Sequence, residues 1–280
     1  MVLTIPAVTH STSDTAPLIR LDNVTKAFAG SGGEPYWVLG GISCSFEEGE
    51  FVCVLGPSGC GKTTLLNLVA GFDRPSSGAV FVAGKNVTGP SPERVVVFQD
   101  AASALFGWST VAENVEYALR LRGLKRVDRT NECQNLLRLV HLSGDSHKYP
   151  YQLSGGGKQR AQIARALAAD PRILLMDEPL AALDAFTKSA LQQEIAALVT
   201  ETRKTTIYIT HDVMESALIS DRIIIMSVGP GSLIRRDILN PIARPRTLGD
   251  EAVARLAAEL QEIVLTESHE RTRSNGRTLV

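Results

Sequence analysis

From Gly56 to Thr64 the chain reads Gly-Pro-Ser-Gly-Cys-Gly-Lys-Thr-Thr, and Gly56, Gly61, Lys62 and Thr63 fit the phosphate-binding spacing G-x-x-x-x-G-K-[ST]. Small residues let the backbone curl until successive N–H groups point inward at phosphate oxygens. A helix opening at the end of the loop adds its positive dipole end. Lys62 can reach β- and γ-phosphates, and the Thr63 hydroxyl can ligate Mg²⁺. Pro57, Ser58, Gly59, Cys60 and Thr64 complete the cradle. Cys60 reads as a small filler rather than a redox switch.

Two further groups could act on a phosphate. Ile173-Leu174-Leu175-Met176 is an apolar run that delivers Asp177 and Glu178 at its end. In α/β sheets ligands sit at the carboxyl ends of strands. Asp177 is placed to hold Mg²⁺ through water, and Glu178 to polarise an attacking water. Leu153-Ser154-Gly155-Gly156-Gly157 opens a helix over residues 161–168, with Ser154 as its N-cap and glycines that permit close backbone approach. This is a second helix start suited to an anion. One chain already has a phosphate cradle, so the second suggests a nucleotide shared between two subunits.

These groups need elements to carry them. Residues 51–55 form an apolar strand before the loop, and residues 65–70 a helix after it. Residues 18–28 and 42–46 alternate as strands. Residues 79–84 and 95–98 read as two more strands. From 101 to 168 the periodicity is helical: Val111, Val115, Ala118 and Leu119 share one face, as do Leu136, Leu137, Val140 and His141. Strands return at 173–176, 206–209 and 222–226, with helices between them. The expected fold is α/β: a P-loop NTPase core with a mostly parallel sheet covered on both faces, an N-terminal antiparallel β subdomain and an inserted α-helical subdomain. The main domain spans 18–245, with the helical insertion over 101–168. Val253, Leu256, Leu260, Ile263 and Val264 form the stripe of a C-terminal helix over 246–267. Disordered tails are expected at 1–17 and 268–280.

Composition narrows the class. The chain has 280 residues, 44% hydrophobic and 21% charged, with net charge −1, so no bulk charge argues for nucleic acid or anionic lipid. Cys44, Cys53, Cys60 and Cys133 have no C-x-x-C spacing, and a reducing cytosol is expected. No segment approaches 18 consecutive apolar residues, and the start does not read as a secretory signal. His141 and His147 lack a ligand cluster and read as packed or solvated.

The series of motifs resembles that of ABC transporter ATPases over residues 18–245. The 56–63 loop looks like the Walker A loop and Ser154-Gly155-Gly156 like the signature. Asp177 and Glu178 look like Walker B and its catalytic glutamate. The resemblance also assigns Gln99 to the Q-loop, Asp184 to the D-loop, His211 to the switch histidine, and Phe28 to the aromatic that stacks on adenine. Four positions depart from the usual pattern. Gly157 stands where Gln is frequent, Ala181 where Ser is common, Phe28 where Tyr is usual, and Gly107 where the closest group has Pro. Residues 56–72, 89–99, 105–108, 178–185, 229–231 and 243–246 are similar to importer ATPases for nitrate, taurine and aliphatic sulfonates.

The resemblance implies ATP and Mg²⁺ as cofactors, with Thr63, Gln99 and Asp177 around the metal. It implies catalysis by Lys62, Glu178 and His211, in a head-to-tail pair with a second copy. Each ATP would lie between Lys62 of one subunit and Ser154 of the other. The expected partners are transmembrane permease subunits docking near Gln99 to Trp108 and a separate solute-binding protein, with no nucleic acid. The expected place is the cytoplasmic face of the cell membrane. Phe106 and Trp108 read either as this docking groove or as core packing of the helical insertion. Taurine, other sulfonates, nitrate, bicarbonate and thiamine precursors stay open as solutes, as does a heteromeric ATPase pair. No regulatory barrel is expected after the core. The alternative is a soluble ABC ATPase uncoupled from transport.

Overall fold

The structure is a computed structural model that describes residues 16–30 and 33–275. In chain order the strands and helices begin with β1 (Ile19–Ala29), β2 (Pro35–Phe46), β3 (Phe51–Leu55), α1 (Lys62–Ala70), β4 (Ser77–Val82), β5 (Lys85–Asn86) and β6 (Arg94–Val97). Four helices follow: α2 (Ala101–Ala104), α3 (Val111–Leu121), α4 (Arg126–Leu139) and α5 (Gly155–Ala168). The chain closes with β7 (Ile173–Asp177), α6 (Ala185–Thr202), β8 (Thr205–Thr210), α7 (Val213–Ile219), β9 (Arg222–Met226), β10 (Ile234–Leu239) and α8 (Glu251–Asn275). Two units divide the chain. One takes the described residues up to Pro90 and from Ile207 on; the other is Ser91–Thr206.

In the first unit β2, β1, β4 and β5 form an antiparallel sheet in that order. Its long hairpin starts earlier than the alternation at 42–46 suggests, because residues 35–37 on β2 are exposed and show no apolar face. The second sheet of this unit runs β10-β9-β3-β8. Strands β3 and β9 pair in parallel, Val52 opposite Arg222 through Leu55 opposite Ile225, while β10 pairs antiparallel to β9. Every residue of β3 and β9 is buried, which explains why residues 51–55 and 223–226 read as unbroken apolar runs rather than alternating ones. Strand β10 escaped the sequence reading because Ile-Arg-Arg-Asp-Ile-Leu follows neither period; it is an edge strand with only Ile238 buried.

An ion triad ties these strands together. Arg222, at the start of β9, is 4% exposed and donates to both oxygens of Asp237 on β10, to Glu50 at 3.3 Å and to the Ser45 carbonyl at 2.9 Å. Burial opposes its charge, but the hydrogen bond to Asp237 and the two neighbouring carboxylates hold the guanidinium firmly protonated.

Helix α8 packs on α7 and buries Val253, Leu256, Ala257 and Leu260. It begins at Glu251 rather than 246, because Asp250 turns back to accept from Thr247 N and Oγ1. Its backbone stays helical to Asn275, beyond the boundary expected at 267. Glu267, Glu270 and Arg271 are good helix formers. The rest of the tails expected at 1–17 and 268–280 lies outside the described residues, apart from residues 16 and 17.

The second unit holds β6 and β7 as a parallel pair, Arg94 opposite Ile173 through Val97 opposite Met176. Helices α2 to α5 lie between them in sequence, and α6 follows. Helix α3 starts with a capping box: Glu113 N donates to Thr110 Oγ1 at 3.2 Å, and Thr110 N to Glu113 Oε2 at 2.7 Å. Val111, Val115, Ala118 and Leu119 are buried, as are Leu136, Leu137 and Val140. His141 is not on that face. It follows the end of α4 with φ +56°, exposed, because the chain turns left-handed there.

Replacing Asp237 by Ala leaves the buried Arg222 with only part of its partners, and should cost about 3 kcal/mol of stability. Urea unfolding measures this; a loss below about 1 kcal/mol would show that the triad does not hold the sheet edge.

Candidate nucleotide-binding site

In the first unit β3 ends at Leu55 and the chain turns through Gly56–Gly61 into α1. The turn needs glycine at Gly56 and at Gly61 for different reasons. At Gly56 a Cβ would lie 2.8 Å from Cys60 Sγ and 3.2 Å from the Met226 carbonyl. Gly61 has φ +91°, and a Cβ there would meet Val38 and Leu39 of β2 at 2.9 and 2.8 Å. So the loop lies flat against β2 and β9, and Cys60 is buried as a filler beneath it.

Helix α1 has no side-chain cap and no acidic residue in its first turn. By contrast α2, α3, α5, α6 and α7 are each capped by their own Asp, Thr or Ser, and α4, also without a side-chain cap, carries Asp128 in its first turn. An uncapped start presents N–H groups and positive dipole to a ligand. Lys62 is 5% exposed and its ammonium donates to the Gly56 carbonyl at 2.7 Å and the Pro57 carbonyl at 3.0 Å. A full positive charge is thereby held inside the loop, while Ser58, Gly59 and the Thr63 side chain face solvent. Pro57 and Thr64 are half-buried in its walls.

Phe28 lies near the end of β1, opposite Tyr36, and is 44% exposed. Lys26 Nζ sits 4.8 Å from its ring centroid and bonds Asp73 at 2.6 Å, so one face of the ring is backed by a fixed cation. His211 is exposed in the turn between β8 and α7.

The second unit carries the remaining positions. Asp177 ends β7, half-buried, and Glu178 follows with φ +43°, a left-handed conformation that non-glycine residues seldom adopt. Gln99 is exposed just after β6. The residue before it is pinned by Gln162 of α5, whose amide, oriented to satisfy both groups, donates to the Phe98 carbonyl at 3.0 Å and accepts from Phe98 N at 2.7 Å.

Ser154 caps α5 by accepting from Gly157 N at 3.2 Å. Gly156 is needed for contact: a Cβ would lie 2.5 Å from Thr187 of α6. Residue 157 is buried, and a Cβ there would lie a tight 3.2 Å from the Leu153 Cβ, so Gly suits a position where Gln is frequent. Asp184 caps α6 by accepting from Thr187 N at 3.1 Å, and those bonds hold its carboxyl below the ordinary range. Its structural task is thus visible without any ligand.

The sequence reading missed what holds Phe106–Trp108. Asn114, fully buried on α3, accepts from Phe106 N and donates to the carbonyls of Phe106, Ser109 and Thr110. Arg165 lies over the Phe106 ring at 5.1 Å. Phe106 stacks on Trp108 and meets Tyr117 edge-on. Trp108 is nonetheless 80% exposed and Phe106 only half-buried, so core packing describes neither ring. The aromatic group edges a cavity of about 450 Å³ with Glu113, Glu116, Arg120 and Arg129. An Asn in an apolar helical face was the available signal.

Among the described residues no group of three or more His, Cys, Asp or Glu could hold a metal alone. Thr63 in the first unit offers a hydroxyl, and Gln99 and Asp177 in the second an amide and a carboxylate oxygen; each is a hard oxygen donor of the kind Mg²⁺ accepts.

The family described as ABC transporter matches residues 39–181. The chain is 43% identical over 244 residues to the taurine import ATP-binding protein TauB of Escherichia coli O157:H7, across 87% of this chain and 93% of that protein. It is 45% identical over 230 residues to the bicarbonate transport ATP-binding protein CmpC of Synechococcus elongatus. That match takes in 81% of this chain but spans only 34% of the relative's length. Among solved structures, a dimeric post-hydrolysis state of the ATP-binding cassette MJ0796 bound to ADP and Pi matches with TM-score 0.69 at 31% identity, over 80% of this chain and all of that one. A phosphate loop on a buried strand, a second glycine-rich helix start, and these likenesses in sequence and fold agree: the chain belongs to the ABC transporter family, as one of its ATPases.

Proposed function

We propose that the chain hydrolyses ATP to drive uptake of a small anion or sulfonate-like solute of the nitrate, taurine or alkanesulfonate type. The observation that carries this is the uncapped start of α1 with the Lys62 ammonium held inside the Gly56–Gly61 loop. Support for import comes from relatives named as taurine and bicarbonate transport ATP-binding proteins.

In this reading Lys62 and the loop N–H groups bind the β- and γ-phosphates, and Phe28 stacks on adenine. Thr63, Gln99 and Asp177 hold Mg²⁺, which when bound neutralises charge on the phosphates. Glu178 orients the water whose oxygen bonds to the γ-phosphorus as the bridge to ADP breaks, and takes up its proton. His211 contacts the γ-phosphate. Ser154, Gly155 and Gly156 serve the ATP of a second copy in a head-to-tail pair, with Asp184 beside that seam. Closure on ATP and reopening after hydrolysis move the permease subunits. A separate solute-binding protein chooses the solute.

The exposed Trp108 with Phe106 and Tyr117 suits a helix of the permease, which would seat an apolar side chain on the rings beside the charged rim. No helix among the described residues is long and apolar enough to cross a membrane. In this reading the permease holds the chain against the inner face of the cell membrane.

Three variants test the parts separately. Glu178→Gln should keep ATP binding and lower phosphate release by about a hundredfold or more; near-normal turnover would remove Glu178 from its role. Lys62→Ala should weaken nucleotide binding itself, measured by titration with a fluorescent ATP analogue. Trp108→Ala should hydrolyse ATP at its basal rate yet lose the rise produced by permease subunits in lipid vesicles. Hydrolysis by the unaltered chain that ignores the permease would favour an ATPase uncoupled from transport.

A further inference from the structure

The exposed His211 sits on a turn whose two sides are both held from within the first unit. Strand β8 places Tyr208 and Thr210 two residues apart, hence on one face, and both side chains are buried. They point at Glu215, on the first turn of α7 and only 3% exposed. Thr210 Oγ1 donates to Glu215 Oε2 at 2.6 Å, and the Tyr208 hydroxyl donates to the same oxygen at 3.3 Å. Burial, then the charge of Glu215, push the Tyr208 hydroxyl well above its ordinary value and keep it a donor. The Thr210 hydroxyl also accepts from Asp212 N at 3.0 Å. Asp212 in turn caps α7, accepting from Met214 N and Glu215 N. So one hydroxyl bonds residue 212 on the far side of His211 and residue 215 on the helix.

Helix α7 is itself fixed at its other end. Arg244 donates to the Ile219 carbonyl, Arg246 to the Ser220 carbonyl at 2.6 Å, and Asn240 to those of Ala217 and Ser220. The carboxylate of Glu215 therefore reaches back from a helix that cannot easily shift. A buried carboxylate is costly unless it is well bonded, and a plain apolar residue would pack this helix on the strand without that cost. What the carboxylate adds is a defined position for Thr210.

We propose that Glu215 is a positioning residue for ATP hydrolysis: through the Thr210 hydroxyl it holds the turn that presents His211. This rests on the reading of His211 as a contact of the γ-phosphate. The effect of losing the clasp falls on kcat, because a misplaced His211 weakens contact with the reacting phosphoryl group while the loop around Lys62 still binds nucleotide.

The test measures kcat, KM for ATP and thermal midpoint of the purified chain. Thr210→Val, which keeps shape but lacks the hydroxyl, should lower kcat about tenfold with KM within about twofold, and Thr210→Ser should restore most of it. Glu215→Gln, which still offers an oxygen to Thr210, should fall between them. In a His211→Ala background Thr210→Val should lower kcat no further. Full kcat in Thr210→Val, a loss that multiplies with His211→Ala, or a loss that Thr210→Ser does not recover would each overturn the clasp. If His211→Ala alone leaves kcat unchanged, the assignment of His211 fails instead, and with it the proposal.

Discussion

The structure depends on a turn in which backbone must do the work of side chains. A polyanion is best met by many N–H groups at once, and only a chain with almost no side chains can curl tightly enough to aim them. That demand falls on Gly56–Gly61. Gly61 takes a left-handed conformation against Val38 and Leu39, and Gly56 lies against Cys60 and Met226. Such a turn has little cohesion of its own, so its neighbours must be rigid. Strand β3 is buried along its whole length, β9 flanks it in parallel, and Arg222 locks β9 to β10 and to the residues just before β3. The buried Lys62 ammonium then sits where the backbone dipoles already favour negative charge.

A similar economy governs the other polar positions. The polar side chains around these helix starts and turns are held by caps and buried amides rather than by apolar packing. Ser154, Asp184 and Asp212 each satisfy the start of their own helix. Asn114 gathers the chain around Phe106 into a fixed shape, which leaves Trp108 exposed on a loop that does not need it for cohesion. Gln162 does the same for Phe98 ahead of Gln99. Glu178 shows another device, a left-handed backbone that a non-glycine residue seldom adopts and that the surrounding structure must hold. In α7 the same logic joins strand and helix through Glu215 and Thr210.

The sequence by itself determined the features that rest on local rules. A glycine-rich spacing before Lys62 and Thr63, an apolar run ending in Asp177 and Glu178, and the serine and glycines at 154–156 state their chemistry through residue type and interval. Helical periodicity marked Val111, Val115 and Leu119 as a buried face for the same reason. Other features obey no local period. The edge strand Ile234–Leu239 exists because β9 offers it hydrogen bonds, and residues 35–41 join β2 because β1 continues beside them. His141 left its expected face because the helix ends at Leu139, two residues before it. The partners of Arg222, the pinning of Phe106 by Asn114 and the reach of Glu215 to Thr210 were decided only by the tertiary structure. Asp237 and Glu50 become partners of one arginine only once three strands lie side by side, and Thr210 and Glu215 meet only once a strand turns into a helix. A buried polar group is legible in sequence as an anomaly; which group answers it depends on the fold that removes both from water.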